Sequence, residues 1–169
     1  MRQNYVISYL GKDKPGLVDQ LSQAVSSQGG SWLASRSVNL GGMFGGIIEI
    51  NLPTEQLPQL EQAMQDVRKQ ASKLLIEPVG AAADGDSQHY QLKVVGADRP
   101  GIVAEVAAIL SRLQVNIEEM ETEIEPAPMS SDMTFHLDCR ISLPADMQID
   151  QVETALEALA DDLMVETDR

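Results

Sequence analysis

Two short segments carry the only repeated signal in the chain that could do chemistry. The first runs Gly11-Lys12-Asp13-Lys14-Pro15-Gly16-Leu17-Val18, and the second Gly96-Ala97-Asp98-Arg99-Pro100-Gly101-Ile102-Val103. Their shared pattern is Gly-x-Asp-[Lys/Arg]-Pro-Gly-[Leu/Ile]-Val. The first glycine permits a tight exit from a strand. The proline pre-sets φ in a first helical turn, where no N–H is needed. The second glycine has no side chain, so a ligand can approach the backbone. The free N–H groups and the positive dipole end of the following helix suit a carboxylate. The chemistry on offer is recognition of a small anion. A structural reading stands beside it, in which the motif is a good turn and helix start only. Repetition in register weakens that reading, although duplication copies structural features too.

A second group of residues follows each helix. In the second copy the next strand begins Val115-Asn116-Ile117, and in the first Ser31-Trp32-Leu33. Asn116 offers both a donor and an acceptor. Placed opposite the Gly101 turn, it would fix the amino end of an amino acid whose carboxylate meets the N–H groups of Gly101 and Ile102. Equally, Asn116 could do no more than cap a turn. Ser31 is shorter and Trp32 is bulky, and Trp32 reads as core or inter-module packing. The candidate ligand-binding set is therefore Asp98, Pro100, Gly101, Ile102, Asn116 and Ile117, with Asp13, Pro15, Gly16 and Ser31 in an altered first copy. No catalytic residue, metal ligand or cofactor is expected.

The elements that must position these residues are themselves repeated. Gly11, Asp13 and Gly16 recur 85 positions later as Gly96, Asp98 and Gly101. The same offset carries the apolar stripe 17, 18, 21, 24, 25 onto 102, 103, 106, 109, 110, which predicts two helices in phase. Later, Phe44 to Pro53 corresponds to Phe135 to Pro144 at an offset of 91. The six extra residues fall around Glu125 to Ser130, whose two prolines read as a loop. Each copy parses as strand (4–10, 89–95), helix (14–28, 99–113), two strands (32–40 and 43–52, 117–125 and 133–143), helix (57–71, 150–162) and strand (73–79, 163–167). The strand at 133–143 alternates apolar and polar residues, as a sheet with one covered face requires. Asp150 and Glu153 resemble a capping box. The glycine-rich run Gly41 to Gly46 joins two strands and reads as a hairpin turn with a close backbone contact.

The order βαββαβ gives the fold class α+β, two ferredoxin-like modules packed side by side. The expected boundaries are 1–79 and 89–169, joined by a small, polar linker at 80–88. One segment resists the parse. In Ile117 to Glu125, strict alternation puts Ile117 on one face with four glutamates. Either a bulge flips the register after Ile117, or the strand is exposed on both sides.

Charge and composition exclude several functions. The net charge is −14. Residues 1–84 hold 7 Lys and Arg against 8 Asp and Glu, whereas residues 85–169 hold 5 against 18. Clustered cations for a phosphate backbone are missing, so no direct nucleic-acid binding is expected. The acidic half reads as a solvated surface or as a docking face for a basic protein. No stretch is apolar enough to span a membrane, and no signal sequence opens the chain, so a cytoplasmic protein is expected. Cys139 is the single cysteine, which rules out an internal disulfide. It lies on the apolar side of its strand and reads as core. No Gly-x-Ser-x-Gly elbow or phosphate loop occurs, and neither His89 nor His136 has a partner at catalytic spacing, so an enzyme is not expected.

The pattern Gly-x-Asp-Arg-Pro-Gly-Ile-Val, followed by a helix and Val-Asn-Ile, resembles the ACT domain family. The tandem arrangement resembles the glycine cleavage system transcriptional repressor family, also through Trp32 to Arg36, Phe44 to Ile47, Ala127 to Ser130 and Leu159 to Met164. That resemblance implies an effector-sensing protein that restrains a transcriptional activator by protein contact, with glycine as effector. The family's ligand position falls on Asp98, Pro100, Gly101 and Asn116, and Ser31 departs from it. Edge-to-edge pairing into a homodimer is also implied. Two other functions fit the residues: a ligand-independent acidic interaction module, or a regulatory subunit of an amino-acid or one-carbon enzyme. On this reading the second copy senses and docks while the first is mainly structural.

Overall fold

The computed structural model describes residues 1–69, 71–80, 87–127 and 132–169. Most of the expected linker (81–86) and the tip of the expected loop (128–131) lie outside the described residues. The chain divides into two compact units, Met1–Ala83 and Asp84–Arg169.

Each unit has the expected βαββαβ order. The first contains β1 (Arg2–Lys12), α1 (Leu17–Ser27), β2 (Ser31–Leu40), β3 (Met43–Pro53), a 3-10 turn at Thr54–Gln56, α2 (Leu57–Val67) and β4 (Ala71–Pro78). The second contains β5 (Gln88–Ala97), α3 (Ile102–Arg112), β6 (Asn116–Pro126), β7 (Met133–Leu143), α4 (Ile149–Glu157) and β8 (Met164–Asp168). The strands form two antiparallel sheets of order β2-β3-β1-β4 and β6-β7-β5-β8.

Alternation decides what each sheet buries. Tyr5, Ile7 and Tyr9 of β1 and Ile48, Ile50 and Leu52 of β3 point under the helices. From the helices, Leu21, Val25, Leu60 and Met64 close that core. In the second unit Phe135, Leu137, Cys139, Ile141 and Leu143 alternate inward along β7 as expected, against Val106, Leu110, Val152 and Leu156. Val18 and Val103, though part of the predicted stripe, are exposed. They sit at the second helical position, turned away from the sheet.

The Glu-rich strand has both properties that sequence left open. A bulge at Glu118 lies between the pairs Ile117↔Ile141 and Glu119↔Arg140. It sends Glu119, Glu121, Glu123 and Glu125 to the helix-free face. Beyond Ile117 the edge strand is also exposed throughout. The same bulge occurs in the first unit at Leu33, between Trp32 and Ala34.

Two local expectations need correction. The helices start at Leu17 and Ile102, with Gly16 and Gly101 as N-caps, so Pro15 and Pro100 precede the cap instead of occupying the first helical turn. The box on α4 is set by Gln148 and Gln151, not Asp150 and Glu153: the Gln148 N–H donates to Gln151 Oε1 at 3.2 Å. Glu153 instead accepts from the Thr167 hydroxyl. Gly41 (φ 59) and Gly42 (φ 75) do form a tight two-residue hairpin turn, joining Leu40 to Met43. No described helix is long and apolar enough to cross a membrane.

Glycines also set strand spacing. A Cβ on Gly46 would lie 2.2 Å from the Arg36 carbonyl oxygen, whereas one on Gly96 would press on the Leu163 Cδ2 at 2.6 Å, with backbone no nearer than 3.4 Å. Backbone cannot yield as a side-chain tip can. Gly46→Ala is therefore expected to destabilise the protein by about 2 kcal/mol or more, and Gly96→Ala by about 1 kcal/mol. Urea denaturation of the two variants checks the order.

Candidate functional site

Each repeated turn ends in a left-handed glycine, with φ 101 at Gly16 and 92 at Gly101. A Cβ at either would meet nothing within 4 Å. Conformation is what requires glycine here, and the space before it is open. Neither helix carries a side-chain cap. First-turn N–H groups lack an intrahelical acceptor, so a helix start of this kind favours an anion. Ile102 departs from the expectation, because its N–H already donates to the Arg99 carbonyl at 3.3 Å.

The aspartates anchor the turns. The Asp13 N–H donates to Gly42 O at 3.1 Å, and the Asp98 N–H to Met133 O at 2.9 Å. Each turn is thereby tied to the hairpin or strand beside it. In the first unit Asn39 Nδ2 donates to Asp13 Oδ2 at 2.5 Å. In the second, Arg99 pairs with Glu105 at 2.6 Å, and that hydrogen bond holds the Glu105 carboxyl below its usual range. The Ala97 N–H donates to Asp162 at 3.1 Å.

Asn116 and Gly101 do not meet within their unit. Asn116 pairs with Ser142, and Ser142 with His89 at the start of β5. Gly101 follows Ala97 at the other end. Eight residues of strand separate the two, roughly 25 Å at a rise of ~3.3 Å. The reason is topological. Helix α3 runs back along the sheet, so β6 must begin beneath its C-terminus. Ser31 is displaced from Gly16 in the same way. Asn116 and Ile117 instead line a shallow groove of about 410 Å³ with Leu110, Ser111, Gln114 and Val115. In the first unit Trp32 packs partly buried against the core.

Polar side chains that sequence reasoning passed over stand beside the first turn. Tyr9 pairs with Gly46, and Gly46 with Ser37. With no side chain at Gly46, the Tyr9 hydroxyl reaches Ser37 Oγ at 2.7 Å. Tyr9 also packs on Phe44, with ring centroids 5.9 Å apart. Asn39 lies two residues further along β2. At the corresponding places the second unit has Val94, Leu137, Thr122 and Ile124. The signal was the Gly-Gly pair at 45–46, which has no counterpart in the later copy. The first turn, not the second, thus has the richer set of polar neighbours.

The remaining candidates are ion-paired or buried. Glu118 is engaged by His89 Nδ1 at 3.0 Å and by Arg140 Nε at 2.9 Å. No group of three or more metal-ligating side chains occurs among the described residues. Burial, with the charge of Asp138, pushes the Cys139 thiol up to about 11.

A model of the ACT domain family matches residues 3–76 and 88–169. The chain is 25% identical over 164 residues to a glycine cleavage system transcriptional repressor from Escherichia coli K12, covering 95% of this chain and 86% of the relative. A relative of the same description from Shigella flexneri matches equally. A crystal structure of an unknown protein from Galdieria sulphuraria superposes with a TM-score of 0.88 at 27% identity, over 99% of this chain and 98% of that one. Another, provisionally described as a glycine cleavage system transcriptional repressor, gives 0.72 at 16% identity, over 100% and 99%, and shows the fold alone.

A thiol so raised stays protonated and shielded. Cys139 is expected to resist iodoacetamide at pH 8 in the folded protein and to react on addition of denaturant, as followed by mass spectrometry.

Proposed function

This chain belongs to the ACT domain family in both of its units, and from that premise we propose that it is a ligand-responsive regulator. It binds a small amino acid, glycine in the first instance, and acts through contact with a protein partner, a transcriptional activator. The observation that carries the proposal is the pair of left-handed glycine turns, each opening an uncapped helix onto free space. The effector carboxylate would sit at the first-turn N–H groups. In the first unit Asp13, held by Asn39, offers the negative charge that an α-amino group needs. Pro15 and Pro100 stiffen the approach, and Asp98 holds the equivalent turn. The repressors to which the chain is similar supply the choice of glycine and of a transcriptional partner. Ligand binding transmits a signal only by favouring one of two states.

A second location for the effector is the groove at Asn116, favoured by its volume and by the donor and acceptor of that side chain. One titration separates the two. Calorimetry with glycine, alanine and serine is expected to show binding to the full chain at millimolar ligand or below. Asp13→Ala is expected to weaken it about tenfold, the cost of one charge-assisted contact. Loss with Asn116→Ala, and not with Asp13→Ala, would move the effector to the groove. No heat with any of the three amino acids would remove the sensor proposal.

A further inference from the structure

The helix-free faces of the two sheets differ in chemistry. In the second sheet Glu119, Glu121, Glu123 and Glu125 share that face with Asp138 and Glu166, and with Lys93, His136 and Arg140 between them. In the first sheet the same face carries a group of apolar residues, with the exposed Arg36 beside Ile47 in the row that also holds Ser8 and Leu75. Leu10, Val38, Ile47 and Leu75 are 41%, 60%, 53% and 60% exposed. The register makes them neighbours: Val38 and Leu10 both pair with Gly45, while Ile47 and Leu75 both pair with Ser8. Single exposed apolar residues are ordinary, but a contiguous group marks an interaction surface.

Charge on this face is arranged by position. Glu49 and Glu77 flank Val6 at one end of the strands. Lys73 lies beside Leu10 at the other, with Lys12 beyond it. Lys73 and Glu77 have no ionic partner among the described residues. Along β1, β3 and β4 the face therefore runs from acidic through apolar to basic, with Arg36 on the neighbouring edge strand β2.

Such a surface complements its own inverted copy. We infer that a second copy of this chain docks here, sheet on sheet, about a two-fold axis crossing the strands at the row of Ser8 and Leu75. That axis stacks Leu75 and Ile47 on their own symmetry mates, and it brings Arg36, at the β2 end of the same row, beside its own mate, a contact that opposes the pairing and keeps it weak. It also sets Lys73 of one copy against Glu77 of the other, twice. A four-stranded face at ~4.8 Å per strand and ~3.3 Å per residue offers a footprint on the order of 350 Å². Two stacked faces bury roughly 700 Å² of surface, below the standard size for a specific interface and in the range of a weak, transient contact. A reversible dimer follows, distinct from pairing through sheet edges and independent of the effector turns.

Sedimentation velocity on the full chain from ~1 to ~100 μM is expected to show a monomer–dimer equilibrium in the micromolar range. Ile47→Glu, at an exposed position, is expected to give a monomer with unchanged circular dichroism and melting. Lys73→Glu or Glu77→Lys alone should weaken the dimer at least tenfold, and the two together should restore it. A wild-type chain that stays monomeric throughout would overturn the inference, as would a dimer indifferent to Ile47→Glu. Single charge reversals without effect would overturn the two-fold arrangement.

Discussion

One-sided burial governs each half of this molecule. Two helices of about three turns cannot cover both faces of a four-stranded sheet, so one face becomes core and the other meets water. The central strands β1, β3, β5 and β7 answer with alternation, broken where Ser142 is buried between Ile141 and Leu143, apolar residues under the helices and polar or mixed residues outside. The edge strands β2 and β6 reach past the helices and lose the constraint, which is why almost every residue on them is exposed. The turns, the open faces and the charge pattern are all consequences of where that cover ends.

Duplication fixed the frame in both units and left their surfaces free to diverge. The buried sets match almost position for position. Outside the core the two units differ in kind. The first collects Tyr9, Ser37 and Asn39 near its turn and an apolar band on its open face. The second has Val94, Thr122 and Ile124 at those places, which keeps a hydroxyl at one of the three, and its open face is rich in carboxylates with Lys93 and Arg140 among them. The polar side chains beside a repeated turn are thus gathered in the nearly neutral copy, whereas Asn116 and the net charge drew attention to the other.

Local periodicity made most of the fold legible. The stripes on α1 and α3, apart from Val18 and Val103, the alternation along β7 and the Gly41-Gly42 turn each follow from spacing of a few residues, and the structure shows them. Distant relations were not legible. That Asn116 lies at the far end from Gly101 depends on α3 running back along the sheet, which no local pattern encodes. The Tyr9–Ser37 contact depends on Gly46, an absence of side chain two strands away. Helix starts were misplaced by about three residues because proline was taken as the opening residue, whereas the left-handed glycine after it does the capping. For Ile117 to Glu125, alternation was ambiguous for a physical reason: a bulge adds one residue without adding a pair.

That bulge bears on how the coding sequence can change. Loss of Leu33 or Glu118 would leave Trp32 and Ile117 followed at once by the residues now paired with Glu49 and Arg140. Every downstream partner would keep its place, at the expense of the Glu118 contacts with His89 and Arg140 in the second unit. Removal of one codon elsewhere along either strand would exchange its two faces. Small in-frame deletions are therefore absorbed at these two positions, which makes the bulges tolerated points of length variation in edges that otherwise have to be inherited whole.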